Sequence, residues 1–197
     1  MNSYNLKILN NKNNIFDKFV LECCDELYDL VPFDGDNLFV SGGFFARKFI
    51  GAPIRDIDVY INRDEKYIEY LRNDYERLGY KINENSSITN QKYIKLDKVN
   101  EKEETEFSID LISFHEPKNA SYIETFDFDI CQFAMNEDYI FTGNSSWQSL
   151  IDHKFHYTGN LGGKTIQRMT KYMKLGFNID DISIQKIANS YVPFFKV

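Results

Sequence analysis

The sequence predicts an α+β fold, with strands and helices mixed in a head and helices alone in a tail. Apolar residues recur at helical spacing in residues 15–30, whereas polar and apolar residues alternate in residues 56–61. Beyond residue 146 the pattern is helical, with glycine-containing breaks. We therefore expect residues 1–145 to form the head and residues 146–197 a helical tail packed on it.

The first half of the chain predicts alternating helices and strands. The short strand ending at Ser41 is apolar, and the strand over 56–61 alternates, as a strand with one exposed face does. Asp64 is a helix-starting residue and Gly79 a helix-ending one. In chain order the predicted elements are a helix over 15–30, a strand over 37–41, a helix over 44–50 that stops near Gly51 and Pro53, a strand over 56–61 and a helix over 64–78.

The second half begins with strands and continues with helices. Strands are predicted over 80–88, 91–96 and 106–113, with a charged, solvated loop over 97–106 and with Lys92 and Lys95 as solvent-exposed strand positions. Residues 128–135 and 139–142 fit either a hairpin or the edge of a helix. Helices are predicted between residues 147 and 191, interrupted near 159–163 and 176–180.

Composition limits the classes of protein. The chain has 197 residues, 43% of them hydrophobic, and a net charge of −7, which disfavours broad, nonspecific binding to nucleic acid. No apolar run approaches the roughly 18 residues that span a bilayer, and the N-terminus lacks an apolar leader. We therefore expect a cytoplasmic protein without a membrane partner.

The cysteines and histidines predict neither disulfides nor a histidine metal site. Cys23, Cys24 and Cys131 are odd in number and include a vicinal pair, which fits no disulfide framework or zinc spacing. Such thiols are usually buried and reduced. The three histidines are scattered along the chain.

Three aspartates predict a metal site. Because strand side chains alternate, Asp56 and Asp58 project to the same side, where two carboxylates repel each other unless a cation lies between them. Asp110 lies near the centre of a later predicted strand and becomes a third ligand if that strand pairs beside the first. Oxygen ligands of this kind suit Mg²⁺, and three carboxylates can hold two metals in an in-line phosphoryl transfer.

The Gly42-Gly43 pair predicts a phosphate-binding turn. Glycine lets the backbone approach a ligand closely, and the helix that follows presents free N–H groups there. Ser41, at the end of the preceding strand, is predicted to contact phosphate rather than to act as a nucleophile, since no Ser/His/Asp arrangement accompanies it.

The stretch GGFFARKFIGAPIRDIDVYI resembles the signature of the nucleotidyltransferase superfamily that includes DNA polymerase β, most closely its poly(A) polymerase and CCA-adding branch. The matching positions are Gly42, Gly43, Arg47, Gly51, Arg55, Asp56 and Asp58. The resemblance implies a mixed sheet with helices on one side, and transfer of a nucleoside monophosphate from an NTP with loss of pyrophosphate. It implies that Asp56 and Asp58 bind the triphosphate metal, that Asp58 and Asp110 share the metal that activates the acceptor hydroxyl, and that Arg47 and Arg55 help to bind the nucleotide.

Three departures from that branch alter the expectation. In ETFDFDICQFAM, Asp127 and Phe128 match a nucleotide-holding motif of the CCA-adding branch, but Thr125 and Phe126 replace its two arginines. The branch's base-reading motif and its long tRNA-gripping tail are missing, which argues against CCA addition. Both members of the second Asp-x-Asp pair, Asp127 and Asp129, are expected to be structural or to support the site residues, and Asp127 is the one expected to touch the site.

A basic segment in the tail offers a phosphate or RNA contact. Residues 153–179 contain no Asp or Glu, and Lys164, Arg168 and Lys171 share one face of the predicted helix. This face is either merely solvated or lies over the nucleotide phosphates or an RNA backbone. KTIQRMTKYMKLGF resembles the Arg-rich helix that ends short members of the branch.

The sequence therefore favours a magnesium-dependent nucleotidyltransferase that uses an NTP. The acceptor is open between a tRNA 3′ end, another RNA, a small molecule and a protein side chain. An inactive nucleotide- or RNA-binding member of the same fold is the principal alternative, and a sugar-nucleotide glycosyltransferase with a metal-binding Asp-x-Asp is a weaker one.

Overall fold

An eight-stranded mixed sheet forms the centre of the computed structural model, which describes residues 1–9, 14–84, 93–113 and 119–191. Its strands are β1 (Asn2–Asn5), β2 (Leu38–Ser41), β3 (Asp56–Ile61), β4 (Lys81–Ile82), β5 (Tyr93–Val99), β6 (Thr105–Ser113), β7 (Phe133–Met135) and β8 (Tyr139–Thr142). Their spatial order is β1-β8-β7-β2-β3-β6-β5-β4. Only β3 and β6 pair in parallel; every other neighbouring pair in this sheet is antiparallel.

Six α-helices accompany the sheet within the described residues. They are α1 (Ile15–Tyr28), α2 (Gly43–Phe49), α3 (Glu65–Arg77), α4 (Ser146–Ile151), α5 (Thr165–Lys174) and α6 (Asp181–Tyr191). A separate parallel pair, β9 (Lys154–Phe155) and β10 (Asn178–Ile179), flanks α5, whereas the sequence predicted helices alone in this part of the chain. This arrangement confirms the predicted α+β class and mixed sheet.

The two faces of the sheet differ in what covers them. Ile57 and Val59 of β3 point to one face, where they join the main core with apolar residues of α1, α2 and α3. The opposite face carries a smaller apolar cluster around Phe39 and Tyr122, built partly by a 3₁₀ helix at Ala120–Thr125. Because side chains alternate, the polar residues of β3 and β6 project to this second face.

Local capping explains where two of the helices begin. Asn14 precedes α1 and its side chain accepts a hydrogen bond from the Phe16 N–H at 2.9 Å. Asp64 caps α3 by accepting from the Tyr67 N–H at 3.2 Å, as its position in the sequence predicts.

The hairpin between β5 and β6 corrects the prediction of a solvated loop over 97–106. Both strands extend into that range, and the turn is held by Asn100, whose side chain accepts from the N–H groups of Lys102 and Glu104. Asp97 is buried and accepts a hydrogen bond from Ser108 at 2.6 Å, a cross-strand partner that a single sequence does not reveal. Lys92 and the end of the predicted strand over 80–88 lie outside the described residues.

The remaining differences are small. Residues 133–142 form the β7–β8 hairpin, which decides between the two structures left open, and β1 is an edge strand that the sequence did not predict. All three cysteines are buried and free, as expected. Among the described residues, no helix has the length and apolar character needed to cross a bilayer.

Candidate functional site

Strand register brings the three predicted carboxylates onto one face of the sheet. Asp58 of β3 lies directly opposite Asp110 of the parallel strand β6. On its other side, Asp58 lies opposite Ser41 of β2. Asp56 is two residues away on the same face of β3. The prediction that the strand of Asp110 pairs beside Asp56 and Asp58 is therefore confirmed.

The turn after β2 lies against the central carboxylate. Gly42 has φ +83°, and a Cβ atom built on it would stand 2.8 Å from Oδ2 of Asp58. At Gly43 a Cβ atom would stand 3.0 Å from the hydroxyl of Tyr172 on α5. The glycine pair thus lets the backbone pass between β3 and α5 more closely than residues with side chains would allow.

Burial and neighbouring negative charges make the carboxyl group of Asp58 harder to ionise. Burial raises its pKa most, and the neighbouring Asp110 and Asp56 raise it further, to about 7. Lys171 and Arg168 on α5 act in the opposite direction and lower the pKa of Asp58. At neutral pH the site therefore holds a carboxylate that a positive ligand would ionise fully.

Asp110 is paired with a lysine but keeps one buried oxygen without a hydrogen bond. Lys95 of β5 places its ammonium nitrogen 3.5 Å from Oδ1 of Asp110. That oxygen is buried and accepts no hydrogen bond from the described residues. We expected Lys95 at a solvated position, whereas its side chain is only 25% exposed and faces the carboxylates, because β5 is a neighbour of β6.

Helix α5 forms the basic wall of the same cavity. Arg168 and Lys171 line it together with Asp56, Asp58 and the Gly42-Gly43 turn. Arg168 donates to Oδ2 of Asp127 at 2.8 Å, and Thr165 donates to the same oxygen at 2.9 Å. Asp127, with 3% of its side chain exposed, therefore anchors α5 over the sheet and also lines the cavity.

The hydroxyl of Ser41 is engaged within the protein. It donates to the carbonyl oxygen of Phe133 at 2.6 Å, so at 2.7 Å it accepts from the hydroxyl of Tyr122. Its side chain is buried. The predicted phosphate contact of Ser41 would have to come from its backbone or from a rearrangement of these bonds.

Three other predicted nucleotide contacts lie away from the carboxylate cavity. Arg47 of α2 donates to the carbonyl oxygen of Pro53 and lines a neighbouring groove instead. Arg55 and Lys164 are exposed, and neither lines the cavity. Lys164 immediately precedes α5, so of the three basic residues predicted to share a face, the cavity is lined by Arg168 and Lys171.

Asp129 has a structural environment. Its carboxylate accepts from Ser145 at 3.0 Å, from Ser149 at 2.6 Å and from the backbone N–H of His156 at 2.8 Å, and it also lies 2.9 Å from Nδ1 of His156. These bonds tie the 3₁₀ helix at Asp129–Cys131 to α4 and β9. They agree with the expectation that Asp127 is the member of the pair nearer the site.

Sequence reasoning missed the aromatic lining of the cavity. Tyr60, Phe126 and Tyr172 line it, as does Cys131, whose thiol lies 3.0 Å from the Tyr172 hydroxyl. Strand alternation could have identified Tyr60, which follows Asp56 and Asp58 at the same two-residue interval. Helical spacing relates Tyr172 to Arg168, and Phe126 occupies a position of the nucleotide-holding motif named above, although its aromatic side chain replaces an arginine there.

The donor set fits a hard divalent cation. Within the described ranges, no three His, Cys, Asp or Glu side chains group closely enough to form a ready-made metal site. Nevertheless, Asp56, Asp58 and Asp110 present carboxylate oxygens on this face, the type of ligand that Mg²⁺ prefers. A cation would also offset the burial and the like charges that raise the pKa of Asp58, and it would lie beside the Asp110 oxygen that accepts no hydrogen bond from the described residues.

A family model matches most of this arrangement. Residues 10–153 match the model of the Gabija anti-defense 2 (Gad2) family, and this range contains all three carboxylates and the glycine turn. The chain belongs to the Gad2 family. No curated protein matches this Gad2 chain in a sequence search. The matched range ends before α5, which supplies Arg168 and Lys171.

Solved structures place the fold among nucleotidyltransferases. The Thermotoga maritima CCA-adding enzyme complexed with tRNA aligns with 98% of this chain and 46% of its own, at a TM-score of 0.59 and 14% identity. A tRNA nucleotidyltransferase complexed with a primer tRNA and an incoming ATP analogue aligns with 88% of this chain and 50% of its own. Its TM-score is 0.56 and its sequence identity is 13%. The Gad2 chain thus spans half the length of these relatives or less, and the likeness confirms the nucleotidyltransferase-like fold.

Proposed function

We propose that this Gad2 chain is a metal-dependent nucleotidyltransferase that moves a nucleoside monophosphate from an NTP to an acceptor hydroxyl and releases pyrophosphate. The observation that carries the proposal is the register that sets Asp58 opposite Asp110, with Asp56 on the same face. The glycine turn and the basic side chains of α5 close the same cavity from the other side. The fold shared with nucleotidyltransferases supports this assignment.

The carboxylates would hold two Mg²⁺ ions, as the donor chemistry of this face allows. Asp56 and Asp58 would bind one ion, and Asp58 and Asp110 would share the other. When bound, such ions offset the negative charge that develops on phosphate oxygens and favour ionisation of a nearby hydroxyl.

The protein's own groups then bind, orient and accept a proton. The Gly42-Gly43 turn lets the triphosphate approach the backbone, and Lys171 and Arg168 offset the charge of its outer phosphates. The acceptor oxygen forms a bond to the α-phosphorus while the bond from that phosphorus to the bridging oxygen breaks. The hydroxyl proton passes to the carboxylate of Asp110, and pyrophosphate leaves with the bridging oxygen.

Pyrophosphate release tests this function directly. Each of the four ribonucleoside triphosphates is incubated with the protein, Mg²⁺ and total RNA. We expect release with wild type and its loss, by at least about 100-fold, in Asp58→Asn, which removes the central charge and keeps the shape. Asp64→Asn, at the exposed cap of α3, is the matched control and should behave as wild type. Normal turnover by Asp58→Asn would refute the mechanism.

A binding module without turnover is the second candidate. Thr125 and Phe126 stand where the CCA-adding branch has arginines, and Arg168 is already paired with Asp127. Fewer cations are therefore left for a triphosphate. Calorimetry that detects nucleotide binding, with no pyrophosphate released for any acceptor, would favour this candidate.

The family's name indicates a biological role. It describes Gabija anti-defense proteins, and we infer that this chain likewise counteracts Gabija defence. If transfer is the means, expression of wild type should abolish Gabija protection in cells that carry it, and Asp58→Asn should leave protection intact. Equal action of the two proteins would assign the effect to binding.

A further inference from the structure

A row of four polar side chains crosses the sheet through the carboxylate site. Ser41 of β2 lies opposite Asp58 of β3, and Asp58 lies opposite Asp110 of β6. Asp110 in turn lies opposite Lys95 of β5. Because residues that face each other across neighbouring strands project to the same side, the row ends in an ammonium group beside the carboxylates. The proposed function gives this lysine no role.

Lys95 pairs with Asp110 rather than with the other carboxylate of its strand. Its ammonium nitrogen lies 3.5 Å from Oδ1 of Asp110, and this is the ion pair that Lys95 makes within the described residues. Asp97, two residues along the same strand face, is occupied by other donors. It accepts from Ser108 at 2.6 Å and from Asn83 at 2.7 Å. The charge of Lys95 is therefore directed at the candidate site.

A second side chain of β5 contacts the same carboxylate. Tyr93 shares a face with Lys95, and its hydroxyl donates a hydrogen bond to Asp110. Burial, the charge of Asp110 and this hydrogen bond all raise the pKa of Tyr93, so the hydroxyl keeps its proton. Asp110 is thus held from the β5 side, and it does not line the cavity that Asp56 and Asp58 line.

This arrangement makes the two carboxylate pairs unequal as cation sites. A divalent cation shared by Asp58 and Asp110 would lie near an ammonium group that is already paired with one of its two ligands. Like charges at such short range repel each other, and the cation would have to take Asp110 from Lys95. Over the part of the chain that the structure describes, neither Asp56 nor Asp58 makes an ion pair. Their pair therefore has no such competitor.

We propose that Lys95 is a positioning residue that pairs with Asp110 in the metal-free site and thereby weakens binding of the cation that Asp58 and Asp110 share. The proposal rests on the proposed function, which places a metal ion at that pair. Transfer would then need a higher Mg²⁺ concentration than nucleotide binding does, because the triphosphate metal uses Asp56 and Asp58 instead. The charge of Lys95, and not its shape, sets this difference.

Mn²⁺ binding tests the proposal without any turnover. Free Mn²⁺ is measured by electron paramagnetic resonance, without nucleotide, at pH 8, at which Asp58 is ionised. The Asp110-dependent site is the one that Asp110→Asn removes. Lys95→Gln should tighten this site by roughly tenfold, the effect of a unit charge that is 25% exposed and so partly screened by water. Any other Mn²⁺ site should stay within about twofold of wild type.

Three further variants separate charge and place from a general effect of substitution. Lys95→Arg keeps the charge and should retain the wild-type affinity. Lys95→Met keeps the apolar stem without the charge and should repeat the effect of Lys95→Gln, so the test does not depend on how one variant folds. Lys98→Gln, the matched control, removes an exposed lysine of the same strand that lies over the ring of Tyr80, and it should change no site.

Three results would overturn the proposal. The first is an Asp110-dependent site that is unmoved, or absent, in both neutral variants of Lys95. The second is equal tightening of all Mn²⁺ sites, and the third is the same effect from Lys98→Gln. Either of the last two would assign the change to net charge alone.

Failure of the Lys95 pairing and failure of transfer give different results. Where transfer occurs, Lys95→Gln should reach half-maximal pyrophosphate release at a roughly tenfold lower Mg²⁺ concentration. Pyrophosphate release that depends on Asp58, with Mn²⁺ binding that does not respond to Lys95, would refute the role of Lys95 alone. An Mn²⁺ site that responds to Lys95, in a protein that releases no pyrophosphate, would keep the role of Lys95 and refute transfer.

Discussion

Substitution of Gly42 by alanine should inactivate the site far more than it destabilises the protein. Gly42 has φ +83° and ψ −140°, a backbone region that is open essentially to glycine alone. The added Cβ atom would also stand 2.8 Å from Oδ2 of Asp58, whereas ordinary contacts of a Cβ atom begin at 3.4 Å. Either the turn or the carboxylate must move by about 0.6 Å or more.

A second glycine allows these two effects to be separated. Gly79, which follows α3, has φ +88°, and a Cβ atom there would have nothing within 4 Å. Gly79→Ala should therefore cost about 1–2 kcal/mol of unfolding free energy through the backbone alone. Gly42→Ala should cost about 1–3 kcal/mol from its backbone conformation, plus whatever part of the contact with Asp58 is not relieved by movement.

The two variants should differ in activity much more than in stability. Misplacement of catalytic groups by about 1 Å can reduce turnover by about 100-fold. We expect a loss of roughly that size in pyrophosphate release for Gly42→Ala and a change of less than about twofold for Gly79→Ala, with urea denaturation measuring both stabilities. If Gly42→Ala retained turnover within about threefold of Gly79→Ala, the close approach of the turn to Asp58 would have no catalytic role.

Two further predictions concern charge in the site. Because the pKa of Asp58 is about 7 in the folded protein and near 3.8 in the unfolded chain, the folded state binds the extra proton between these values, and stability falls as pH rises from about 4 to about 7. Without divalent metal, Asp58→Asn should therefore be more stable than wild type at pH 8, by on the order of 1–4 kcal/mol. Near pH 4 the two proteins should be equally stable. Urea denaturation measures both stabilities, and a difference between them that stays constant from pH 4 to pH 8 would contradict this prediction. Arg168→Ala removes one of the two side chains that, among the described residues, donate to the buried carboxylate of Asp127. It should therefore lose about 1–3 kcal/mol of unfolding free energy and bind ATP more weakly in calorimetry. Lys186→Ala, at an exposed position of α6, should do neither.

Local features of the site could be predicted because they depend on residues that are close together in the sequence. The two-residue interval of Asp56 and Asp58 sets their common face, and the glycine pair marks the turn without reference to the rest of the chain. The bounds of β3 agree with the alternating pattern at both ends, and Asp64 caps α3 as predicted. Each of these features depends on contacts within a few residues.

Prediction was poorer wherever a residue's role depends on a partner distant in sequence. The sequence predicted a solvent-exposed position for Lys95. In the structure β5 pairs with β6, and the side chain of Lys95 therefore faces Asp110. Phe126 lines the cavity because the segment before β7 crosses the open face of the sheet, and no periodicity encodes that crossing. Arg47 matched a family position, yet its side chain donates to the carbonyl oxygen of Pro53 and lines a neighbouring groove instead of the cavity.

By itself, the sequence determined the α+β class, the principal elements and the three carboxylates, because strand alternation and helical spacing follow from backbone geometry. Only the tertiary structure decided that Asp110 lies opposite Asp58, and that α5 places Arg168 and Lys171 in the cavity of Asp56 and Asp58. The physical reason is that strand pairing and helix docking are selected by the burial of the whole core, to which residues far apart in the chain contribute together.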